Sequence, residues 1–305
     1  MTSKTSHTDI ISITPEILRG HLPKRADTSH KGSFGSALFI GGSMRYTGAA
    51  LLAGKACLRA GVGYLSMAIP SALHPALAGH IPEAIWQLLP EHDGAIASIA
   101  ATTLAPVLAN KQAILIGPGL SLSPNTQNFA IKFLENILPK FPNIPVIFDA
   151  DMLTILSQTP DIYQHLPKTA IFTPHPGEMA RLTGLDIEEI QDRRAELAQG
   201  FATEKGLTLV LKGANTILAS PNGDLRKLDF ANSVLAHAGS GDVLAGIMLG
   251  LLAQGMPAFD AASLAVYLHA KSGMLALEKR KHVASVLPSD LIAFIGHTIA
   301  DLENA

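Results

Sequence analysis

Ala113-Ile114-Leu115-Ile116-Gly117-Pro118-Gly119 is the stretch from which the fold can be read. Four apolar residues run without alternation and stop at a Gly-Pro-Gly cluster. A strand needs such a run when both its faces are covered, as in a parallel sheet between helices. The pattern recurs along the chain. Residues 37–40 stop at Gly41-Gly42-Ser43, and residues 146–148 at Asp149-Ala150-Asp151. Residues 170–173 stop at Pro174-His175-Pro176-Gly177-Glu178, and residues 207–211 at Lys212-Gly213. Residues 64–69 and 216–219 read as two further strands. Helical patterns lie at 49–60, 126–138, 188–205, 243–254, 258–277 and 288–303. Strand and helix alternate, so the expected fold class is α/β, a doubly wound, mostly parallel sheet flanked by helices. One domain over residues 30–305 is expected, preceded by an arm or first helix over 1–29. In such a sheet the strand carboxyl ends share one edge, where ligands bind. Chemistry-bearing residues far apart in sequence therefore converge there.

Bulk composition narrows the function. Apolar residues make up 48% of the 305 and charged residues 16%, enough to bury a full core. The 23 basic and 25 acidic residues leave a net charge of −2, no footprint for nucleic acid or an anionic membrane. The one cysteine, Cys57, reads as a small buried hydrophobe. Residues 1–9 are polar and do not read as a signal peptide. The most apolar helix, 243–253, is about half the length of a membrane span. No membrane association and a cytoplasmic location are expected.

Gly239-Ser240-Gly241-Asp242 precedes that apolar helix. Glycine lets the backbone approach a phosphate closely. The first amides of a helix lack intrahelical partners, and its dipole favours anions. Gly239, Ser240 and Gly241 thus form a candidate anion hole. A carboxylate beside phosphate is repulsive unless it has a task, so Asp242 reads as a base taking a proton from an attacking hydroxyl. An ordinary helix cap is the alternative. Gly48 to Ala56 fails as a Walker A loop, having five residues between its glycines and no Ser or Thr after Lys55. The Gly41-Gly42 turn reads either as a cradle or as tight strand–helix packing. In Thr173–Glu178, two prolines and a glycine present His175 and Glu178. Glu178 is a candidate for holding Mg²⁺ through water, since Mg²⁺ keeps several waters and takes one or two carboxylates. It also reads as a first-turn helix acid. Lys212 reads as a phosphate-neutralising cation or as the solvated end of a hairpin. Asp149 and Asp151 read as ligands of a metal or a substrate hydroxyl, or, for Asp151, as a cap. The remaining histidines lack zinc-site spacing.

Taken together, His30-Lys31-Gly32-Ser33-Phe34-Gly35, Gly41-Gly42-Ser43 with Tyr46-Thr47-Gly48-Ala49, Gly117-Pro118-Gly119, Thr173–Glu178, Lys212–Thr216 and Ala238–Asp242 resemble the NAD(P)H-hydrate dehydratases of the ribokinase-like superfamily. The resemblance runs from about His30 to Leu277. It implies repair of hydrated NADH or NADPH, acting on the S-epimer, at the expense of ADP or ATP. ADP is the donor it favours, with Mg²⁺ as the metal. It places substrate contacts at Ala49, Gly119, His175 and Asp242. It places nucleotide contacts at Lys212, Gly213, Ala214, Asn215, Thr216 and Gly241. A homotetramer is the implied assembly, working with a separate epimerase, since residues 1–30 are too few for a fused one. Ser240 stands where relatives often have Thr, and Ser233 where they often have Pro. Two alternatives stay open: an alcohol kinase of the same superfamily, and a non-catalytic nucleotide-binding protein.

Overall fold

The computed structural model describes residues 9–305. The reading of residues 1–8 as leader-free lies outside the described residues. Twelve strands follow the chain. The first six are β1 (Ile10–Ser12), β2 (Ser36–Ile40), β3 (Tyr64–Pro70), β4 (Ile85–Leu89), β5 (Glu91–His92) and β6 (Ala95–Ile96). The other six are β7 (Ala113–Ile116), β8 (Val146–Phe148), β9 (Ile171–Phe172), β10 (Thr208–Leu211), β11 (Ile217–Ala219) and β12 (Leu225–Lys227). Ten form one sheet in the order β1-β12-β11-β10-β9-β8-β7-β2-β3-β4, while β5 and β6 make a small antiparallel ribbon. Within the large sheet only β11 runs against its neighbours, as the return strand of a hairpin from β10. The expected mostly parallel, doubly wound α/β architecture is the observed one.

Alternation along each strand divides the core in two. Phe39, Leu65, Met67, Leu115 and Ile147 face one helical layer, built from helices Thr47–Arg59, Ser240–Ala253, Ala258–Arg280 and Pro288–Asn304. Leu38, Ile40, Ile114, Phe148 and Phe172 face the other, built from helices Pro124–Lys132, Asp151–Gln158 and Arg194–Lys205. Helix Ser240–Ala253 is apolar all round because it is buried all round. A Cβ on Gly246 would lie 2.3 Å from the Ala53 carbonyl oxygen, so only glycine permits its close approach to helix Thr47–Arg59. Cys57 lies in that interface, fully buried, and burial pushes its thiol pKa up. Among the described residues no helix is long and apolar enough to cross a membrane.

Several elements differ from expectation. The helix expected over 188–205 is two, Ile187–Asp192 and Arg194–Lys205, because Arg193 leaves helical geometry at φ −121° and ψ 32°. The helix expected over 126–138 is regular from Pro124 only to Lys132, then passes through a π turn and a short 3₁₀ segment containing Pro139, which has no amide to donate. Strands β1, β4 and β12 had no expectation. Each is short and partly exposed, without the apolar run that marks a central strand. Ile10–Ser12, within the segment read as an arm, pairs with β12 at the sheet edge.

Candidate active site

The carboxyl ends of the central strands are stitched together by single backbone bonds just past each strand. The amide of Gly117 donates to Ile40 O, that of Asp149 to Ile116 O, and that of Thr173 to Phe148 O, each at 3.2 Å. The Lys212 amide donates to Pro174 O at 2.8 Å. These bonds bring the ends of β2, β7, β8, β9 and β10 into one row.

Lys212 is the hub of the row. Its ammonium donates to Asp149 Oδ1 at 2.7 Å and lies 3.8 Å from Glu178 Oε2. Burial opposes its charge, but the carboxylates of Asp149, Glu178 and Asp242 outweigh this and raise its pKa. Asp149 is 2% exposed, so this ion pair is largely shielded from solvent. Between Asp149 and Asp151, Ala150 adopts φ 53° and ψ −122°, a conformation that strains any residue with a Cβ. Asp151 is tied to a neighbouring loop, and its charge helps to raise the pKa of Asp242. The Asp151 Oδ2 accepts from the Ser121 amide at 2.8 Å, tying the Gly-Pro-Gly loop after β7 to helix Asp151–Gln158. It is therefore a loop anchor.

Glu178 and His175 lock each other. The His175 amide donates to Glu178 Oε2 at 2.7 Å, while the Gly177 and Glu178 amides donate to His175 Nδ1 at 3.0 and 3.3 Å. This reciprocal cap starts helix Pro176–Thr183. With Nδ1 accepting, a neutral ring carries its proton on Nε2. Burial, then the charges of Lys212 and Arg181, lower the His175 pKa. Burial also raises the Glu178 carboxyl to about 7, with Lys212 opposing and Asp149 reinforcing.

The Gly-rich turn supplies the remaining wall. Gly239 caps helix Ser240–Ala253 at φ 94°. Asp242 is therefore the third helical residue, not the cap. Its carboxylate accepts no hydrogen bond from any described residue. Burial, then repulsion from Asp149, raises its pKa to about 7, with Lys212 partly offsetting. A Cβ at Gly241 would sit 3.6 Å from Lys212 Nζ, so the ammonium hangs over the helix start. A cavity of about 590 Å³ opens beside it, lined by Lys212, Gly241, Ser240, His269, Leu228 and Phe230 among others. That volume suits a ligand of small-molecule size.

A family model described as NAD(P)H-hydrate dehydratase matches residues 37–296. The chain belongs to this family. Among NAD(P)H-hydrate dehydratases, the ADP-dependent (S)-NAD(P)H-hydrate dehydratase of Bacillus subtilis (strain 168) is 36% identical over 256 residues, covering 84% of this chain and 86% of the relative. A crystal structure of the ADP/ATP-dependent NAD(P)H-hydrate dehydratase from Bacillus subtilis, co-crystallized with ATP/Mg²⁺, superposes with a TM-score of 0.82 at 33% identity, covering 97% of this chain and 99% of that one. The bifunctional NAD(P)H-hydrate repair enzyme Nnr of Moorella thermoacetica is 37% identical over 300 residues, which is 98% of this chain and 56% of that protein. The chain thus spans about half the length of the first curated relatives it matches. The fold is ribokinase-like.

The family's expected positions fall as follows. Lys212, Gly213, Ala214, Thr216 and Gly241 line the cavity, with His175 at its rim. Asn215 sits in the same turn, at φ 54°. Ala49 and Gly119 meet elsewhere along the row: a Cβ on Gly119 would lie 3.0 Å from Ala49 Cβ. The Gly41-Gly42 turn is packed, with the Gly42 amide donating to Pro118 O at 2.9 Å. The His30–Gly35 motif is not at this edge. A Cβ on Gly35 would overlap the Ala253 carbonyl, at the far end of helix Ser240–Ala253. Within this chain the motif packs at the opposite edge of the sheet. His269 had no expectation attached. It comes from helix Ala258–Arg280, and its Nε2 lies 3.0 Å from Ser240 Oγ. A histidine in the otherwise apolar stretch 261–270 was the available signal.

Proposed function

We propose that this chain catalyses nucleotide-dependent dehydration of the S-epimer of hydrated NADH or NADPH, with Asp242 as the base. One observation carries the reading: a carboxylate free of hydrogen bonds at the start of a buried helix, behind a Gly-rich turn and beside Lys212. A base with a pKa near 7 is poised to take a proton at neutral pH. The hydrate's ring hydroxyl gives its proton to Asp242 as its oxygen bonds to the terminal phosphorus of ADP or ATP. The bond from that phosphorus to the departing nucleotide breaks. Amides of Gly239 to Gly241, the helix dipole and Lys212 stabilise the transferred charge, so the catalysis is positioning plus electrostatics. The ring nitrogen's lone pair then expels phosphate, and loss of a proton from the neighbouring carbon restores the dihydronicotinamide.

The site suits Mg²⁺. Asp149, Glu178 and Asp242 gather around a single ammonium, an excess of hard oxygen donors. Glu178 is the candidate to hold the ion through water, since Mg²⁺ keeps several waters and takes one or two carboxylates. Bound there, Mg²⁺ would neutralise phosphate charge. Lys212, Gly213, Ala214, Asn215 and Thr216 are assigned to the nucleotide, and Ala49, Gly119 and His175 to the hydrate. The same reading includes ADP in preference to ATP, a cytoplasmic homotetramer and a separately supplied epimerase activity. Incubation with S-hydrated NADH, Mg²⁺ and either ADP or ATP tests it. Return of the reduced-nicotinamide absorbance is expected. A stable phosphorylated product without that return would mark an alcohol kinase instead, and nucleotide binding without turnover a non-catalytic protein.

A further inference from the structure

The cavity lining includes a polar side-chain pair that the mechanism above leaves idle. Ser240 and His269 are both 6% exposed, and their Oγ and Nε2 atoms lie 3.0 Å apart. They come from different helices, 29 residues apart in sequence. His269 lines the cavity together with the apolar Leu244, Val266 and Ala270. A buried imidazole is costly without a partner, and Ser240 is the partner the fold provides.

We propose that His269 is a positioning residue for the phosphoryl donor: its Nε2–H donates to Ser240 Oγ and turns the Ser240 hydroxyl hydrogen toward the anion in the cradle. This role rests on the reading of the cavity as the nucleotide site. The hydroxyl has one hydrogen and two lone pairs. Lys212 and the first helix amides mark this corner for an anion. Were Ser240 to donate to His269, only its lone pairs would face that anion, and the contact would be repulsive. Donation from His269 leaves the hydroxyl hydrogen free to point at phosphate. The ring is neutral, since burial pushes it down to about 4, with the Ser240 backbone opposing this and Lys212 adding to it. It therefore supplies one donor nitrogen without adding charge. Serine needs this help more than threonine would. Lacking the β-branch, its χ1 is not restricted sterically, so the imidazole must fix it.

The test compares wild type, Ser240→Ala, His269→Phe, His269→Gln and the double variant Ser240→Ala/His269→Phe. ADP binding in the presence of Mg²⁺ is measured by calorimetry, the repair reaction gives KM and kcat, and thermal unfolding reports integrity. Glutamine can place its amide nitrogen near the position of Nε2. Ser240→Ala and His269→Phe are each expected to weaken ADP about 10–100-fold, the scale of one hydrogen bond to a charged group. The double variant should lose no more than the worse single one, Gln should recover most of the affinity, and nucleotide KM should move more than kcat. Wild-type affinity in His269→Phe, or additive losses in the double variant, would overturn the role. If His269→Phe does not fold, unchanged ADP binding by Ser240→Ala or no affinity recovered by His269→Gln overturns it equally. Wild type that binds neither ADP nor ATP would instead overturn the nucleotide-site reading itself.

Discussion

The Lys212 ammonium sits 2.7 Å from Asp149 Oδ1 and directly above Gly241, so one side chain joins the end of β8 to the start of helix Ser240–Ala253. Its neighbours Glu178 and Asp242 add to Asp149, so three carboxylates surround its charge. On the proposed reading that charge has two tasks, holding the row of strand ends together and drawing phosphate into the cradle.

Replacing it should therefore damage both. Lys212→Met leaves Asp149 buried and unpaired. Breaking a buried pair costs about 3–5 kcal/mol. Because the Lys212 side chain is 19% exposed, the lower end is expected in urea unfolding. Asp149→Asn added to Lys212→Met should regain part of the loss. A Lys212→Met protein as stable as wild type would show that the pair is not structural.

Asp242 ties activity to stability through pH. Its carboxyl is raised from 3.8 to about 7. Between these values the folded protein holds a proton that the unfolded chain has released. The stabilisation is complete below pH 4 and is lost as pH rises through about 7. Asp242→Asn cannot titrate, so its stability relative to wild type should increase from pH 4 to pH 8. Denaturant unfolding of both proteins at the two pH values checks this, and a pH-independent difference would contradict the raised pKa. In the same window kcat/KM should climb as the base ionises, then level above about pH 7.

Ala150 carries strain that glycine would not. Ala150→Gly should stabilise the fold by about 1 kcal/mol, because φ 53° with ψ −122° is ordinary for glycine and costly for alanine. Repair activity should fall modestly as Asp149 and Asp151 gain freedom. A thermal midpoint below that of wild type would show that the loop is not strained.

Much of this was legible in the sequence because it is written in local runs. Unbroken apolar segments such as residues 113–116 mark strands covered on both faces, and the polar clusters after them mark the edge where the site lies. Peripheral strands lack that signature: Leu225-Arg226-Lys227 carries no apolar run, although β1 and β11 flank it. The pattern of residues 207–219 allowed a hairpin, and the structure has one, but Lys212 at its start is paired with Asp149 instead of solvated. Pairings of this kind depend on distant elements meeting. Asp149 with Lys212, and Ser240 with His269, are separated by 63 and 29 residues, beyond the reach of any local pattern. His30–Gly35 shows the converse. Gly35 is demanded by packing at Ala253, so a glycine in a distinctive motif need not mark a binding loop.

The most direct measurement is the rate at which Asp242→Asn restores reduced-nicotinamide absorbance from S-hydrated NADH with ADP or ATP and Mg²⁺, alongside its affinity for the nucleotide. A fall of about 10²–10⁴-fold in rate, with nucleotide binding retained, is the expected result for loss of a positioned base. Repair at a near-wild-type rate by a folded, nucleotide-binding variant would contradict Asp242 as the group that takes the hydroxyl proton.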